Sequence, residues 1–420
     1  MSRDDPSHEQ LQPPSWLVCD LTQSWSDVGG GVGTYLRRKR AYILDKTPHR
    51  HLMILPGPRD EVIEEGRACT VFIASPKVPG SPHYRLLLRN GAVRAALEAY
   101  RPDLIECQDA YNLPWAAIAH RKRHSDTALV AGYFTDFPTV YVNRPFAKFV
   151  GRGLAHAASR ICYRYCGALY SRFDAVYGLS ESGGVAKLSR EGVEDVAVVP
   201  LGVELGEFDP SRRDMELRRA LGVGDDQPIL IYAGRLDGEK RPQVVVDAFR
   251  QLPPELGATL VLLGDGPLHA QFRELGKSMR VIAPGFVDGR AELARWLASA
   301  DIYVSAMADE TFGISVIEAQ ASGLPVVGVA AGAMVDRVTP ETGRLGPVDD
   351  AAAMARNIVD VWARGPEAMG LAAREHVRHR FAWDQSMESL FGTVYPNAFA
   401  RCAARVERRA AQISLTLADA

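Results

Sequence analysis

The stretch DIYVSAMADETFGISVIEAQASGLPVVGVA, residues 301–330, reads as strand, loop, helix and strand in direct succession. The segments DIYVSA (301–306) and PVVGVA (325–330) are short and apolar, as buried parallel strands are. Between them, GISVIEAQAS has the pattern of a helix that begins near Gly313. Because parallel neighbours need a crossover connection of this kind, the stretch predicts one unit of a doubly wound parallel sheet.

The same alternation of strands and helices continues through both halves of the chain. The further strands predicted for the C-terminal half are 228–236, 258–265 and 281–286, and its helices include 242–252 and 291–300. The strands predicted for the N-terminal half are 16–22, 51–56, 68–74, 103–108, 128–134, 173–180 and 194–203, with helices at 34–44 and 84–100. This pattern predicts an α/β fold with two Rossmann-like parallel-sheet domains that face one another across a cleft.

Four parts are expected along the chain. They are a disordered N-terminus (1–15), an N-terminal Rossmann-like domain (16–200), a C-terminal Rossmann-like domain (201–380) and a helical segment (381–420) that packs back on the N-terminal domain. Ligands of such sheets bind where the carboxyl ends of the strands meet loops and helix N-termini. Functional residues are therefore expected in the strand-to-helix loops.

The composition is that of an ordinary globular protein, with 420 residues, 47% hydrophobic, 24% charged and a net charge of −2. Without a basic surplus, nucleic-acid binding is not expected. Six cysteines without a C-x-x-C pair or an accompanying His cluster predict neither a zinc site nor a disulfide framework, and they favour a reducing cytosol. No signal peptide and no apolar run of about 18 residues is present, so we expect a cytoplasmic protein with peripheral membrane contacts at most.

Two glutamates mark the loop and helix of the opening stretch. Glu310 lies in the loop, and Glu318 lies on the helix about one and a half turns in. The free backbone N–H groups of Phe312, Gly313 and Ile314 would present partial positive charge to a ligand. Carboxylates placed here accept hydrogen bonds from the hydroxyls of a sugar or a ribose. The alternative is that Glu310 caps the helix and Glu318 is a solvated helix residue.

A second loop, AGRLDGEKRP (233–242), carries Arg235 and Lys240 on either side of a glycine-containing turn. Cations at this edge can clamp a diphosphate and neutralise the charge that grows on a leaving group. The alternative is a pair of solvated surface charges. No D-x-D occurs in the sequence, which disfavours a metal held by paired aspartates. Diphosphate neutralisation would then depend on the two cations and on helix dipoles, with no metal.

A glycine run follows the first strand, with Gly30 and Gly31 at its centre. Glycine lets the backbone approach a phosphate closely and open a helix there. The run lacks the Lys-Ser/Thr of a P-loop and the acidic partner of a dinucleotide site, so NAD binding is not expected.

Taken in order, these motifs resemble those of the GT-B glycosyltransferases, specifically the retaining enzymes of glycosyltransferase family 4. The segments VPLGVELGEFDP, ILIYAGRLDGEKRP, LVLLGDGPL, APGFVD and ETFGISVIEAQASGLPVV follow one another between residues 198 and 346. The likeness extends over roughly residues 16–391. It implies an acceptor domain at 16–200, a nucleotide-sugar donor domain at 201–380, and no cofactor besides the nucleotide-sugar substrate. The chain also resembles bacterial envelope mannosyltransferases, which implies mannose from GDP-mannose as the transferred hexose.

The resemblance implies roles by position. Arg235 and Lys240, with Gly234, hold the donor diphosphate; Glu310 and the N–H groups of Phe312, Gly313 and Ile314 bind the transferred sugar; Glu318 binds the ribose; Phe286 and Val287 face the base; Gly30 and Gly31 approach the donor phosphate. The residues expected to act in catalysis are Arg235, Lys240, Glu310 and Asp136, through positioning and leaving-group stabilisation without a protein nucleophile. The acceptor-side candidates are Gln108, Asp109, Asn112 and Tyr133.

One departure concerns Phe134 in GYFTDFPTVY (132–141), where members of the family place a His that contacts the donor sugar. Either Tyr133 or Asp136 takes over that contact, the donor differs, or activity is weakened; a core-packing role for Phe134 is the plain alternative. Three function classes remain open. They are an active glycosyltransferase, a catalytically altered sugar-binding or regulatory protein, and a GT-B relative of other chemistry such as a phosphorylase or an epimerase.

The segment between Phe137 and Phe173 has no acidic residue. Its basic residues are Arg144, Lys148, Arg152, His156, Arg160, Arg164 and Arg172, and the first six of these recur at intervals of four. A basic helix with nearby aromatic residues can lie on anionic lipid headgroups. This predicts a peripheral site on the inner face of the plasma membrane and a lipid or lipid-linked glycan as acceptor. The alternative is a solvated face around buried aromatic residues.

Overall fold

The computed structural model describes residues 15–26, 30–78, 81–139, 151–224 and 226–418. Its strands are β1 (Leu17–Leu21), β2 (Arg50–Gly57), β3 (Glu61–Glu65), β4 (Ala68–Ala74), β5 (Lys77–Val78), β6 (Ser81–Arg85), β7 (Leu104–Cys107), β8 (Ala128–Tyr133), β9 (Ala175–Gly178), β10 (Ala197–Val198), β11 (Ile229–Ala233), β12 (Thr259–Leu263), β13 (Val281–Gly285), β14 (Ile302–Val304), β15 (Val326–Val329) and β16 (Gly343–Gly346). Its α-helices are α1 (Gly31–Lys46), α2 (Asn90–Tyr100), α3 (Leu113–Arg121), α4 (Arg152–Tyr170), α5 (Ala186–Arg190), α6 (Met215–Ala220), α7 (Pro242–Phe249), α8 (His269–Leu275), α9 (Arg290–Ala298), α10 (Ile314–Ala321), α11 (Met334–Arg337), α12 (Ala351–Ala363), α13 (Pro366–Arg380), α14 (Trp383–Ser389) and α15 (Tyr395–Ala418).

The chain divides into two compact units. The first consists of residues 1–131, 172–175 and 397–420, and the second of residues 132–171 and 176–396. The domain boundaries expected from sequence at residues 200 and 380 stay predictions. Among the helices of the described residues, none combines the length and the hydropathy that crossing a bilayer requires.

The first unit is built on strands in the order β8-β7-β1-β2-β4-β3. All of these pair in parallel except β3, which runs antiparallel to β4. Every residue of β1 is buried, as expected of a central parallel strand covered on both faces. The C-terminal helix α15 joins this unit from Asn397, where the Phe399 ring lies 4.5 Å from the Trp16 ring and Arg405 pairs with Asp174 at 3.2 Å.

The helix predicted over 84–100 is shorter in the structure. Residues 81–85 instead form β6, which pairs antiparallel with β5, and the helix begins only at Asn90. The cause is local pairing, because the backbone hydrogen bond from Leu86 N–H to Pro76 O, 2.8 Å long, closes a hairpin here. The sequence analysis also overlooked β3, whose residues EVIEE are mostly exposed and therefore lack the apolar pattern of a buried strand.

A fully buried charge network ties α1 to the sheet of the first unit. The Lys39 ammonium lies 2.8 Å from an Asp20 carboxylate oxygen on β1 and 3.0 Å from one of Glu106 on β7, and all three side chains are 0% exposed. The His51 ring nitrogen lies 2.7 Å from the other Asp20 oxygen. Burial alone would raise the pKa of Asp20, but Lys39 and His51 lower it to about 2. The network therefore holds an ionised carboxylate beneath the helix that follows the glycine run.

The second unit is built on a six-stranded parallel sheet in the order β13-β12-β11-β14-β15-β16. Its core consists of buried aliphatic residues from the strands and from α7 and α12, including Leu230, Leu260, Val304, Val327 and Ile358. The strands β9 and β10 form a short parallel pair in the same unit. The strand predicted over 194–203 is thus reduced to two residues, since the segment that follows continues as irregular chain through Gly202, whose Cα packs against the Trp383 backbone.

We expect Lys39→Met to destabilise the protein by about 3–5 kcal/mol, because it leaves two buried carboxylates without their cation. Urea unfolding followed by circular dichroism measures the loss. The matched control is Lys277→Met, which removes an exposed ion pair with Glu274 (74% and 67% exposed) and should cost less than about 1 kcal/mol. Equal stability losses in the two variants would show that the buried network does not hold α1.

Candidate functional site

Two loops of the second unit meet in backbone contact at the carboxyl ends of β11 and β12. A Cβ atom on Gly264 would lie 2.0 Å from the carbonyl oxygen of Gly234, and one on Gly266 would lie 2.6 Å from that of Leu236. Only glycine permits this approach. The loop after β12 therefore supports the loop 234–241, which carries the two cations singled out from the sequence.

Lys240 and Glu310 form an ion pair at this edge, with 3.3 Å between Nζ and Oε2 and side chains that are 26% and 16% exposed. The Glu310 carboxylate also accepts hydrogen bonds from the backbone N–H groups of Phe312 and Gly313. Burial alone would raise the pKa of Glu310, but Lys240 and these N–H groups hold it below its usual value. The pair offers an ammonium to an anionic group and an ionised carboxylate to hydroxyl groups.

Helix α10 begins at Ile314, directly after this carboxylate. Its N-cap residue Gly313 has φ 85°, a conformation that favours glycine, and a Cβ atom there would lie 3.4 Å from Glu310 Cγ. The turn directs the first N–H groups of the helix toward the ion pair, where they favour negative charge. The helix begins within one residue of the position expected from sequence.

Glu318 lies on α10 and is 5% exposed, so it is not the solvated helix residue that the sequence left open. Its carboxylate lies 3.2 Å from the guanidinium of Arg290, which also pairs with Glu207 at 2.7 Å. Burial raises the pKa of Glu318 to about 7, although Arg290 opposes the shift. Two carboxylates eight residues apart thus differ in ionisation: Glu310 is charged, whereas Glu318 gains or loses its proton near neutral pH.

Arg235 pairs with two acids of its own loop. Its side chain is 62% exposed, and its guanidinium pairs with Asp237 at 2.7 Å and with Glu239 at 2.6 Å. To contact a diphosphate it would have to leave these acids, which costs little because both pairs are near solvent. Both predicted phosphate-binding cations are thus paired with acids, and their contact with a diphosphate stays a prediction.

The loop after β13 presents an exposed aromatic ring, that of Phe286, which is 69% exposed. Val287 beside it is partly buried. An exposed ring next to a glycine-lined sheet edge suits stacking against a planar group such as a base. The structure therefore brings Phe286, Lys240, Glu310 and Glu318 to loops or helix positions at one edge of the second sheet.

The backbone at Phe134 contacts the loop that carries Glu310. Thr311 donates a hydrogen bond from Oγ1 to the carbonyl oxygen of Phe134 at 2.9 Å, and Ser180 Oγ donates to the Thr311 carbonyl oxygen at 2.8 Å. The Phe134 ring is 6% exposed and meets the Tyr177 ring edge-on, with 6.1 Å between centroids. At this position the structure agrees with the core-packing alternative for the ring.

Arg337 is a buried residue that holds the same loop, and the sequence analysis missed it. It is 3% exposed, and it donates hydrogen bonds to the carbonyl oxygens of Phe312 at 2.9 Å and Leu179 at 3.0 Å. Its guanidinium lies over the rings of Phe312 at 4.4 Å and Phe381 at 4.5 Å. Burial lowers the pKa of Arg337 to about 10, which still leaves it cationic at neutral pH.

Asp136 and Tyr133 form a buried hydrogen-bonded group in the same unit. Asp136 is 0% exposed; it pairs with Lys187 at 2.5 Å and accepts hydrogen bonds from Tyr133 at 2.9 Å and Tyr163 at 2.8 Å. Burial would raise the pKa of Asp136, but Lys187 and the hydroxyls keep it low. Tyr133 is 1% exposed, and the catalytic role expected of Asp136 and the acceptor contact expected of Tyr133 stay predictions.

Comparison with known families identifies the scaffold. The family model described as Glycosyltransferase Family 4 matches residues 29–207, and the one described as Glycosyl transferases group 1 matches residues 227–364. A GDP-mannose-dependent alpha-mannosyltransferase of Mycobacterium tuberculosis (strain CDC 1551 / Oshkosh) is 30% identical over 314 residues, which are 74% of this chain and 76% of that protein. The chain belongs to glycosyltransferase family 4.

Other relatives of this glycosyltransferase extend over nearly its whole length. A GDP-mannose-dependent alpha-(1-6)-phosphatidylinositol dimannoside mannosyltransferase of Mycobacterium tuberculosis (strain ATCC 25177 / H37Ra) is 27% identical over 397 residues, 90% of this chain and 95% of that protein. The solved structure of sucrose-phosphate synthase from Thermosynechococcus elongatus gives a TM-score of 0.72 at 23% identity, covering 91% of this chain and 99% of that one. The predicted GT-B fold is confirmed.

The remaining predicted residues of the glycosyltransferase lie in the first unit. Gly30 precedes α1 with φ 107° and is exposed, and Gly31 is the first helical residue. The rest of the glycine run before Gly30 lies outside the described residues. Gly30 therefore keeps the unusual backbone that a close approach to phosphate needs.

The acceptor-side candidates of this unit are engaged within the fold. Asp109 accepts hydrogen bonds from Thr22 Oγ1 at 2.7 Å and from the Gln23 N–H at 2.6 Å. Gln108 is 2% exposed and donates to the buried Asp20 carboxylate at 2.6 Å. Asn112 donates to the Leu87 carbonyl oxygen at 3.0 Å and to Asn90 at 2.6 Å. All three shape the loop before α3, and their contact with an acceptor stays a prediction.

Sequence signals for the missed residues are weak. Thr311 stands next to Glu310 and could have been selected for its position, whereas Arg337 follows an unremarkable apolar segment. Gly183 also carries no sequence signal, although it packs against the same loop. A Cβ atom at this position would lie 2.8 Å from the Glu310 carbonyl oxygen and 2.9 Å from that of Thr311, and Gly183 is far from both residues in sequence.

The raised pKa of Glu318 gives this glycosyltransferase a pH-dependent stability. In the unfolded chain the carboxyl titrates near 4.5, and in the folded protein near 7, so the folded state holds an extra proton between these values. The free energy of unfolding should therefore fall as pH rises through this window. Between about pH 5.5 and about pH 8 we expect wild type to lose about 2 kcal/mol relative to Glu318→Gln, measured by urea unfolding. The exposed control Glu274→Gln should track wild type at both pH values; a Glu318→Gln variant that also tracks it would contradict the shift.

Proposed function

We propose that this family 4 glycosyltransferase is a retaining, metal-independent hexosyltransferase that moves mannose from GDP-mannose to a lipid or glycan acceptor of the cell envelope. The observation that carries the proposal is the Lys240–Glu310 pair at the start of α10. Its ammonium and the N–H groups of the helix suit a diphosphate, and its ionised carboxylate suits sugar hydroxyls.

In the proposed reaction the bond between the anomeric carbon and the diphosphate oxygen breaks, and the acceptor oxygen attaches to the same face of the sugar. The leaving diphosphate gains negative charge, which Lys240 and the first N–H groups of α10 stabilise. Arg235 adds a second cation once its guanidinium leaves Asp237 and Glu239. In metal-dependent enzymes a bound ion stabilises the charge that develops on the leaving group. Here the two cations and the N–H groups of α10 would do so, and metal independence is proposed on this basis.

The rest of the donor is assigned to the surrounding groups. Glu318, nearly buried beside Arg290, accepts hydrogen bonds from the ribose hydroxyls, and Phe286 stacks on the base. Binding of ribose hydroxyls favours the ionised form of Glu318, because a carboxylate accepts more hydrogen bonds than the neutral acid. Mannose and guanosine diphosphate are proposed because two relatives bear the description GDP-mannose-dependent.

A lipid-bearing acceptor is favoured by the exposed face of α4. The row Leu154, Ala157, Ile161, Arg164 and Ala168 is exposed along this helix, with Leu154 at 67% and Ile161 at 68%. Arg160 beside the row is also exposed. Two projecting aliphatic side chains with flanking guanidinium groups suit an anionic lipid surface. Arg144 and Lys148 of the predicted basic segment lie outside the described residues.

The second candidate function is a sugar-binding protein that does not transfer, and Phe134 is the observation that favours it. A buried ring replaces the side chain with which members of the family contact the donor sugar. Such a protein would bind GDP-mannose without turnover, so an assay that measures binding and transfer separately distinguishes the two.

The first test compares wild type with Glu310→Gln and Lys240→Met in transfer from GDP-mannose to a mannosylated phosphatidylinositol, followed by mass spectrometry. We expect each substitution to lower kcat by about 100- to 1000-fold, because each removes a charge that stabilises the reacting groups. Lys277→Ala, on an exposed helix end, is the activity control. Binding of GDP-mannose without turnover in wild type would favour the sugar-binding alternative, and turnover of a uridine nucleotide sugar instead would overturn the donor assignment.

The second test concerns the α4 face. In flotation with vesicles containing phosphatidylinositol, Ile161→Asp should reduce the bound fraction several-fold, because it places a charge where an aliphatic side chain enters the lipid. Leu371→Asp is the matched control, since Leu371 is 66% exposed on α13. Wild-type binding that is equally strong to uncharged vesicles, or equal loss in both variants, would contradict this face as the docking surface.

A further inference from the structure

A cluster of two histidines and one glutamate lies between α2 and α3 of the first unit. Glu98 on α2, His120 on α3 and His124 just beyond α3 each direct one potential ligand atom inward, and these atoms all lie within 4.8 Å of one another. The His124 ring nitrogen Nε2 lies 2.9 Å from Glu98 Oε2, and the centroids of the two imidazoles are 4.5 Å apart.

The local fold explains why the two imidazoles converge. The chain keeps a helical turn beyond Arg121, since the His124 N–H bonds to the His120 carbonyl oxygen at 3.0 Å. Residues four apart on a helical turn present their side chains on the same face. Helix α2 packs against α3 and supplies the carboxylate from the opposite side. The result is a His-x3-His pair facing an acid, the ligand types that zinc prefers.

An unpartnered buried nitrogen makes this more than a surface ion pair. His120 is 2% exposed, and its Nε2 has no hydrogen-bond partner although it is buried. Buried polar atoms in folded proteins nearly always have a partner, so an orphaned ring nitrogen calls for one. A neutral imidazole nitrogen offers its lone pair to a metal ion.

We propose that Glu98, His120 and His124 bind a single divalent transition-metal ion of the zinc type, with water completing a four-coordinate site. Zinc–nitrogen and zinc–oxygen bonds of about 2.0–2.2 Å place tetrahedral ligand atoms about 3.3 Å apart. The three atoms must therefore approach one another by up to about 1.5 Å. Since Glu98 Oε2 and His124 Nε2 already lie 2.9 Å apart, the approach is between these two atoms and His120, and the partly exposed side chains of Glu98 (42%) and His124 (21%) have room to make it.

One cation competes for the same carboxylate. Arg101 lies 3.8 Å from Glu98 Oε1, but its side chain is 69% exposed, so the pair is weak. A metal ion with two imidazole ligands displaces it without burying an unpaired charge. Arg101→Ala should therefore tighten zinc binding by a few-fold.

The position of the proposed metal site indicates a structural role. Helix α3 begins at Leu113 beside the loop 108–112, and His120 lies about 10 Å further along the helix, at its far end. A metal here links α2 to α3 and stabilises the first unit, while the proposed sugar transfer needs no metal. The inference is therefore independent of the proposed function, and loss of transfer activity is not expected when zinc is removed. No metal site was predicted from the sequence. The sequence pattern that indicates this one is the His-x3-His spacing of His120 and His124.

The test uses the full chain, freed of any affinity tag and treated with a chelator, and titrates it with zinc chloride by calorimetry. We expect one equivalent to bind, and cobalt(II) in its place to give the visible absorption of a four-coordinate nitrogen and oxygen site. His124→Ala should weaken binding at least about 100-fold and Glu98→Gln at least about tenfold. Zinc should also raise the Tm of wild type by a few degrees and leave that of His124→Ala unchanged.

The matched control is His379→Ala, which removes an exposed histidine that pairs with Glu375 at 2.5 Å. Because His120 is buried, His124→Ala is the decisive variant; its circular dichroism spectrum should match that of wild type. Absence of saturable zinc binding in wild type, or equal weakening by His124→Ala and His379→Ala, would overturn the proposal.

Discussion

Keeping one partly buried carboxylate ionised is the constraint on which the second unit depends. Glu310 can stay charged only with the ammonium of Lys240 on one side and two backbone N–H groups on the other. Each requirement fixes further structure. Lys240 needs the glycine-packed loop after β11, and the N–H groups need the left-handed turn at Gly313. Arg337 lies over the rings of Phe312 and Phe381, and it donates a hydrogen bond to the Phe312 carbonyl oxygen of the same turn. The chemistry of the site follows from this fixed carboxylate.

The two acids of the ETFGISVIE stretch have opposite electrostatic environments. Glu310 sits at the start of a helix, where dipole and ammonium favour charge; Glu318 sits deeper along the same helix, where burial outweighs one guanidinium. One is a permanent acceptor, and the other changes its hydrogen-bonding capacity with its proton. A ligand with hydroxyls at both ends would therefore find a carboxylate acceptor at Glu310 at any pH near neutrality. At Glu318 the number of hydrogen bonds it can donate would depend on whether that carboxyl group is protonated.

Much of this was accessible from the sequence, because buried parallel strands and strand-end loops leave strong local patterns. The course of β4 and of β11 to β15, the start of α10 and the choice of Glu310 and Lys240 all rest on such patterns. Part of what escaped depends on partners distant in sequence. Tertiary packing sets the contact of the buried Asp136 with Lys187 and the hydrogen bond from Arg337 to the Leu179 carbonyl oxygen. Two other features escaped although they are local: the pairing of Arg235 with Asp237 and Glu239, and the hairpin that shortened the helix before Asn90.

The hydrogen bond from Thr311 to the chain at Phe134 ends on a backbone carbonyl oxygen. Every amino acid has a backbone carbonyl oxygen, so this hydrogen bond between the two segments does not depend on the side chain at position 134. The ring there only fills space against Tyr177. A substitution at position 134 can therefore change the side chain packed against Tyr177 without removing the acceptor of the hydrogen bond that anchors the Glu310 loop.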